Sequence, residues 1–398
     1  MKPLTPVAIT GMGCLCAAGL NLGASMDALF RGKRHPKRPS KFSNNRSVSY
    51  PVFEIAEDFF PSHEMHISNV LRTCELALTA ASEALKNAGW DRDALHGKRV
   101  GVCIGTNVGS SMNNEAFYRK NREGCDPYVP PAERFLVSNP TSSIIREFGL
   151  AGPCQTVVNA CSAGSDAIGL AASWIRSGIC DMVITGGADE MYQVTYNGFI
   201  SLMISDDAPC KPFDARRKGL NLGEGAGMLI LESEAMLRER KKTPRAFVLG
   251  YGSASDAYHL TAPRPDGKGL KLAIAEAMQT SGTGASDIAF VNAHGTGTLD
   301  NDRIEGRVLN EMLPDVPFLS TKGYVGHTLG ASGAIEAAFT VACLERGEMP
   351  SSAGFSEPDP ELPASPVQKI TKIRGPIAMS ETLAFGGNNA VLVLGVKP

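Results

Sequence analysis

One cysteine and two histidines in this chain each sit in a turn made of small residues, the setting in which side chains do chemistry rather than fill a core. Cys161 lies in Val157-Val-Asn-Ala-Cys-Ser-Ala-Gly-Ser-Asp-Ala-Ile-Gly169, where a β-branched pair leads into small residues and then a helical run. That order places its sulfur on a strand-to-helix turn. At a helix N-terminus, backbone N–H groups and the helix dipole favour a thiolate by about 0.3–1 kcal/mol, so a lowered thiol pKa is expected. A cysteine taken alone is more often a small buried hydrophobe, and the partners decide. Asn292-Ala-His-Gly-Thr-Gly-Thr298 follows the apolar run Ile288–Val291, which sets His294 at the carboxyl end of a strand, where α/β sheets carry their sites. Thr296 and Thr298 offer hydroxyls on alternate positions, and no Gly-Lys-Ser/Thr ending follows, so the run is not a phosphate loop.

Ser320-Thr-Lys-Gly-Tyr-Val-Gly-His-Thr-Leu-Gly-Ala-Ser-Gly333 repeats the logic of the cysteine motif: His327 leaves a strand and precedes a small-residue helix, with Lys322 before it and Glu336 after. Leu383-Ala-Phe-Gly-Gly-Asn-Asn389 joins two strands by a glycine turn whose backbone N–H groups suit an oxyanion hole. A Cys-His hydrolase needs one histidine and an orienting Asn or Asp, so the second histidine is surplus there. The two histidines stand on separate turns without ligand spacing, so no metal is expected.

The elements that must position these residues alternate along the chain, apolar strands with amphipathic helices, as in α/β layer folds. Strands are predicted at 7–10, 99–105, 155–160, 181–185, 228–232, 247–251, 288–293, 317–320, 377–382 and 390–395. Helices are predicted at 69–88, 162–177, 268–280, 302–312 and 331–346. The first strand is read as entering a glycine turn at Gly11-Met-Gly13. At 398 residues the chain exceeds the usual single core. A polar break at 238–245 divides it into halves, 1–240 with the cysteine and 241–398 with the histidines. Each half holds one helix rich in Ala and Gly, after Cys161 and after Gly330. Such helices pack closely, which suggests a weak internal duplication with both at the centre of a five-layer sandwich. Residues 31–50 and 351–370 read as solvated loops.

Composition narrows the classes further. The chain is 43% hydrophobic and 20% charged with a net charge of −2, which argues against nucleic-acid binding. No apolar run is long enough to span a membrane. Pro3, Pro6, Gly11 and Gly13 interrupt the N-terminal apolar stretch, unlike a secretory signal. The ten cysteines are spread without zinc-type pairing, and Cys14-Leu-Cys16 reads as buried strand-end cysteines, so a reducing cytoplasm is expected.

Taken together, the settings of Cys161, His294 and His327 resemble those of the β-ketoacyl-acyl carrier protein synthases. Lys322, the Phe385-Gly-Gly turn, Pro212-Phe-Asp214 and Leu222-Gly-Glu-Gly-Ala-Gly227 do the same, and the likeness runs from Ile9-Thr-Gly-Met-Gly13 to the last strand. His at 327 matches the elongating Cys-His-His class rather than the initiating Cys-His-Asn class. Thiolases share the fold but carry a second cysteine where this chain has Phe385-Gly-Gly.

The resemblance implies a thiolase-like αβαβα sandwich of two pseudo-duplicated halves, and a homodimer or a heterodimer with a chain-length subunit. It implies no cofactor of its own, the phosphopantetheine arm arriving on an acyl carrier protein. An acyl group would pass to Cys161, and malonyl carrier protein would lose carbon dioxide and condense with it. His294 and His327 would stabilise the enolate, while the N–H groups of Cys161 and Phe385 would hold the acyl-transfer oxyanion. The resemblance further implies that Lys322 pairs with Glu305, that Thr296 and Thr298 hold the pantetheine arm, that Phe385 gates the acyl channel and that Asn389 supports it. Arg217, Lys211, Arg119, Lys120 and Arg122 are the candidates for carrier-protein docking. A non-condensing acyltransferase or hydrolase and a chain-length partner subunit are the alternatives; Lys322 with His327 speaks against the first and Cys161 against the second.

Two departures bear on substrate. The family's Gly-Phe-Gly-Phe-Gly-Gly turn reads Thr382-Leu-Ala-Phe-Gly-Gly387 here, and the stretch from Phe135 to Gly149 is abbreviated. A stiffer gate and an altered pocket wall predict a preference for unsaturated or otherwise rigid acyl groups. His63 and His66 stand where basic residues are expected.

Overall fold

The computed structural model describes residues 3–42, 48–56, 70–107, 115–124 and 138–397. In the first half the elements are β1 (Val7–Cys16), α1 (Leu22–Phe30), α2 (Arg72–Ala88), β2 (Val100–Gly105), α3 (Glu115–Arg122), α4 (Pro140–Phe148), β3 (Cys154–Val157), α5 (Ala163–Arg176), β4 (Met182–Asp189), α6 (Gln193–Ser201), β5 (Gly225–Glu232) and α7 (Glu234–Arg240). They continue with β6 (Ala246–Ser255), α8 (Lys268–Ser281), β7 (Ile288–Asn292), α9 (Leu299–Met312), β8 (Phe318–Leu319), α10 (Lys322–Val325), α11 (Ser332–Arg346), β9 (Glu348–Met349), β10 (Thr371–Lys372), β11 (Ile377–Ala384) and β12 (Asn388–Gly395).

Ten strands form one sheet in the order β3-β2-β4-β5-β1-β6-β12-β11-β7-β8. The order is a palindrome of roles. β1–β5 and β5–β4 pair antiparallel, as do β6–β12 and β12–β11, while β4–β2–β3 and β11–β7–β8 are parallel in both halves. Within the sheet, the halves join where Val7–Ile9 pairs with Ala246–Val248. The turns after the parallel strands of the two halves converge: Asp189 at the end of β4 accepts from the Gly330 N–H, and Cys161 after β3 and His294 after β7 line one cavity.

Each strand expected from an apolar run is present. The largest difference is β1, which continues through Gly11 and Gly13 instead of turning. A Cβ at Gly11 would lie 2.2 Å from the Ala84 carbonyl oxygen, and one at Gly13 2.1 Å from that of Ala80. These glycines therefore let α2 lie against the strand, a packing role rather than a turn. Cys14 and Cys16 are buried on the same strand.

α5 and α11 lie against each other and between the two halves of the sheet. A Cβ at Gly333 would fall 2.0 Å from the Ser165 hydroxyl and one at Gly164 2.8 Å from the Gly330 carbonyl, so only glycine permits this approach. α11 is buried on nearly every face from Ser332 to Leu344. Outside, α2 covers β1, β5 and β4, and α8 covers β6 and β12. Helix, sheet, paired central helices, sheet and helix make the five layers.

Short elements escaped the sequence pattern: α1, capped by the Asn21 side chain accepting from the Ala24 N–H at 2.8 Å, α4 with Pro140 at its start behind an Asn139 cap, and the two-residue β9–β10 pair. The two loops expected to be solvated are partly fastened. Arg34 donates to the Cys210 carbonyl at 3.0 Å, Lys41 pairs with buried Glu224, and Ser352 is buried. Among the described residues no helix is long and apolar enough to cross a membrane.

Candidate active site

The nucleophile turn begins where β3 ends. Asn159 and Ala160 lead to Cys161, and Ala160 has φ +49°, a left-handed conformation that costs an L residue energy. The turn aims Cys161, only 3% exposed, into a cavity of about 270 Å³. His294, His327, Thr296, Thr298, Phe385 and Asn389 line the same cavity, so residues from three other sequence motifs converge with the cysteine. The His294 and His327 rings stand 5.2 Å apart, nearly perpendicular.

Hydrogen bonds behind each ring fix its tautomer. Lys322 Nζ lies 3.0 Å from His294 Nδ1, and the Leu329 N–H donates to His327 Nδ1 at 3.1 Å, with the Ser332 hydroxyl also 3.2 Å from that nitrogen. With Nδ1 engaged as acceptor, each neutral imidazole carries its proton on Nε2. Burial first, then the charge of Lys322, holds both histidines well below their usual pKa, His327 adding a further push on His294. The cavity thus receives two neutral N–H donors.

Lys322 is 1% exposed and ion-paired with Glu336, itself 1% exposed. The expected pairing with Glu305 is not what forms. Glu305 instead accepts the backbone N–H of His294 at 2.6 Å and of Gly295 at 2.8 Å, bracing the turn that carries His294. Glu336 reaches Lys322 because α11 is docked in the centre of the molecule, a tertiary fact that sequence spacing does not contain. Burial pushes Glu336 up to about 7 against the pull of Lys322. It pushes Glu305 up to about 7 as well, against the donors of Gly295 and His294, and buried Glu381 is driven well above the carboxylate range by burial and then by Glu305.

The thiol also departs from expectation. Burial pushes Cys161 up to about 12, outweighing the charge of Lys322 and a hydrogen bond from the Phe385 backbone N–H. Desolvation beats the helix terminus here, so the resting group is the thiol.

Phe385 sits at the turn between β11 and β12, with Gly386 at φ +83° and Gly387 at φ +76°. Ala384 is extended at φ −134°, so its Cβ causes no strain in this arrangement. The Phe385 ring stacks on Phe199 at 5.6 Å, and Phe199 in turn meets the edge of His327 at 6.4 Å. Phe199 was not singled out by the sequence; it belongs to α6, one of the short helices with no strong pattern. Asp189 is another such residue. Its buried carboxylate accepts from the Thr106 hydroxyl at 2.7 Å and the Gly330 N–H at 2.7 Å, tying the start of the central helix to β4.

The docking candidates divide. Arg217 is 3% exposed and bonded to Asp359 at 2.5 Å, with Asp302 at 3.7 Å, so it holds the loop near 359 and presents no charge to a partner. Lys211 is half-buried, while its neighbour Lys218 is exposed and lines the cavity mouth. Arg119, Lys120 and Arg122 are exposed on α3. His63, His66 and residues 135–137 of the abbreviated stretch lie outside the described residues. Among the described residues no cluster of His, Cys, Asp and Glu is arranged to hold a metal.

Residues 4–236 match the family described as "Beta-ketoacyl synthase, N-terminal domain", and residues 245–356 match "Beta-ketoacyl synthase, C-terminal domain". The chain belongs to the β-ketoacyl synthase family. The tetracenomycin polyketide synthase ketoacyl synthase alpha subunit of Streptomyces glaucescens is 33% identical over 98% of this chain and 96% of its own length. The 3-oxoacyl-[acyl-carrier-protein] synthase 2 of a Synechocystis species is 32% identical over 97% of each chain. Among solved structures, the ishigamide ketosynthase/chain length factor superposes with a TM-score of 0.92 at 30% identity, covering 98% of both chains. The fold is accordingly the thiolase-like one, and this β-ketoacyl synthase is a condensing acyltransferase.

Proposed function

We propose that Cys161 holds the growing acyl chain and that His294 and His327 drive decarboxylation of the extender thioester. What carries this reading is that both histidines have Nδ1 engaged by N–H donors, leaving two Nε2–H groups in the cavity of the one cysteine the motifs single out. In the first half-reaction the Cys161 sulfur attacks the carbonyl of an acyl thioester. The bond to the pantetheine sulfur breaks, and the cysteine proton leaves with that sulfur. The N–H groups of Cys161 and Phe385 are the donors for the tetrahedral oxyanion.

In the second half-reaction malonyl thioester releases carbon dioxide, and the Nε2–H groups of His294 and His327 take the negative charge forming on its carbonyl oxygen. The enolate carbon attacks the acyl-Cys161 carbonyl, the carbon–sulfur bond breaks, and a solvent proton restores the thiol. Neutral donors suit this step, because charged imidazolium could lose its proton to the enolate. Lys322 with Glu336 sets the tautomer of His294; Glu305 shapes its turn. Thr296 and Thr298, their hydroxyls 2.9 Å apart, are positioned for the amide-bearing pantetheine arm, and Asn389 supports the Phe385 turn by donating to Gly387 O at 3.0 Å.

The same reading assigns the cysteine to half 1–240 and the histidines to half 241–398. It makes an acyl carrier protein the donor, approaching the mouth near Lys211 and Lys218, in the cytoplasm. β3 is the outer strand of the sheet, partly exposed, and Val158 beside it is 66% exposed. An open edge of this kind suits pairing with a second subunit, either this chain or a chain-length subunit such as the one named beside the ishigamide ketosynthase. Incubation with acyl and malonyl carrier proteins, followed by mass spectrometry, tests the reading. An adduct on Cys161 and a β-keto product two carbons longer support it, whereas free acid as sole product identifies a hydrolase.

A further inference from the structure

The nucleophile turn and the Phe385 turn come from opposite halves of the chain, yet their N–H groups must face the same oxyanion. A line of side chains joins them. Tyr251 OH on β6 donates to Asp166 Oδ1 on α5 at 2.6 Å. Asp166 Oδ2 accepts from Asn159 Nδ2 at 2.5 Å and from the Ser162 hydroxyl at 2.8 Å. Because the Asn159 amide spends its Nδ2 on that carboxylate, its Oδ1 faces the other way, and Asn388 Nδ2 donates to it at 2.7 Å. Asn388 Nδ2 also lies 3.4 Å from the Phe385 carbonyl oxygen. Asn159 and Ser162 flank Ala160 and Cys161, so the two groups gripped by Asp166 bracket the strained residue that aims the sulfur.

We propose that Asp166, Asn159 and Asn388 form a positioning relay that sets the Phe385 N–H against the acyl carbonyl on Cys161. None of the three touches the reacting atoms. They act through Cys161 and Phe385, and the proposal rests on the acyl-transfer reading given above. The relay has a direction: carboxylate at one end, amide donor at the other, and an asparagine between that can satisfy both in only one orientation. His294 and His327 are held by Lys322 and Leu329 instead, outside the relay. Disturbing it therefore selects against the acyl-transfer steps and spares decarboxylation.

The test is a single-turnover comparison of acyl transfer from acyl carrier protein to Cys161 with malonyl decarboxylation, alongside thermal unfolding, in the full-length protein. Asn388→Ala removes the donor to Asn159. Asn159→Asp sets two carboxyl groups against each other at the present 2.5 Å contact. In the exchange Asn159→Asp with Asp166→Asn, the amide at 166 donates to the carboxylate at 159, whose other oxygen still accepts from Asn388. Tyr251 keeps an acceptor in the amide oxygen. Because a displacement of about 1 Å at a catalytic group can cost up to 10²-fold, both single variants should acylate about 10–100-fold more slowly. Half-saturation by acyl carrier protein and the decarboxylation rate should stay at the parent values. The exchange should recover most of the acylation rate. The proposal is overturned if Asn388→Ala acylates at the parent rate, if both reactions fall together, or if the exchange is no better than Asn159→Asp. A parent enzyme that itself places no acyl group on Cys161 refutes the functional reading instead.

Discussion

Lys322 Nζ lies 3.0 Å from His294 Nδ1 while its charge is balanced by Glu336, and all three side chains are buried. Burial first, and then this one ammonium, depress the basicity of both histidines, and the ammonium dictates which nitrogen of His294 carries the proton. A charge persists in a dry interior only when it is paired, which is why Glu336 matters to a site it does not touch.

Lys322→Ala leaves Glu336 buried without its partner and frees His294 Nδ1. Removing one member of a buried pair costs about 3–5 kcal/mol, so a clear loss in unfolding free energy is expected by denaturant titration. Lys322→Ala combined with Glu336→Ala should recover part of that stability but none of the decarboxylation. Recovered decarboxylation would show that Lys322 serves packing alone.

Glu336 also gives the site a pH dependence. Its pKa is raised to about 7, so the carboxylate that holds Lys322 forms only as pH rises through that value. Decarboxylation should fall as pH drops below about 7, and Glu336→Gln should lower the rate and flatten that limb. The stability sign is opposite: a raised carboxyl favours the folded state fully below its unfolded pKa and loses that contribution as pH rises through the folded one. Stability measured from pH 4.5 to 7 should therefore decline by the Glu336 and Glu305 contributions, and Glu336→Gln should reduce the slope.

His294→Ala and His327→Ala should each reduce malonyl decarboxylation by about 10²–10³-fold, the cost of one oxyanion donor, while retaining acyl transfer to Cys161. A variant that decarboxylates at the parent rate removes that histidine from enolate stabilisation.

Much of this site was legible in the sequence, because turns of small residues announce themselves: Cys161, His294, His327 and Phe385 line one cavity as their motifs suggested. What was not legible depends on docking across the chain. Glu336 displaced Glu305 as the partner of Lys322 once α11 lay at the centre. Arg217 stands among the docking candidates by sequence, and only the fold brings Asp359 and Asp302 to it. β1 was cut short at Gly11 because a glycine pair reads the same for a turn as for a helix pressed against a strand. Asn159 and Asn388 lie 229 positions apart, and no local pattern links them.

Acyl preference follows from the Phe385 turn. Ala384 replaces a glycine of the family's turn and is extended in the present arrangement, so motion that needs positive φ at 384 is penalised. Rigid, unsaturated acyl chains should be preferred over flexible saturated ones by about 1–3 kcal/mol in transfer to Cys161, and Ala384→Gly should narrow the difference. Competition between saturated and polyunsaturated acyl carrier proteins in one reaction measures it; equal use of both would contradict the assignment.

The central claim is a division of labour, with the cysteine holding the chain and the histidines activating the extender. Cys161→Ala separates the two. Mass spectrometry of the variant after exposure to acyl carrier protein should find no acyl adduct, while carbon dioxide release from malonyl carrier protein should continue without β-keto product. An adduct on another cysteine with condensation intact, or loss of decarboxylation together with acylation, would contradict it.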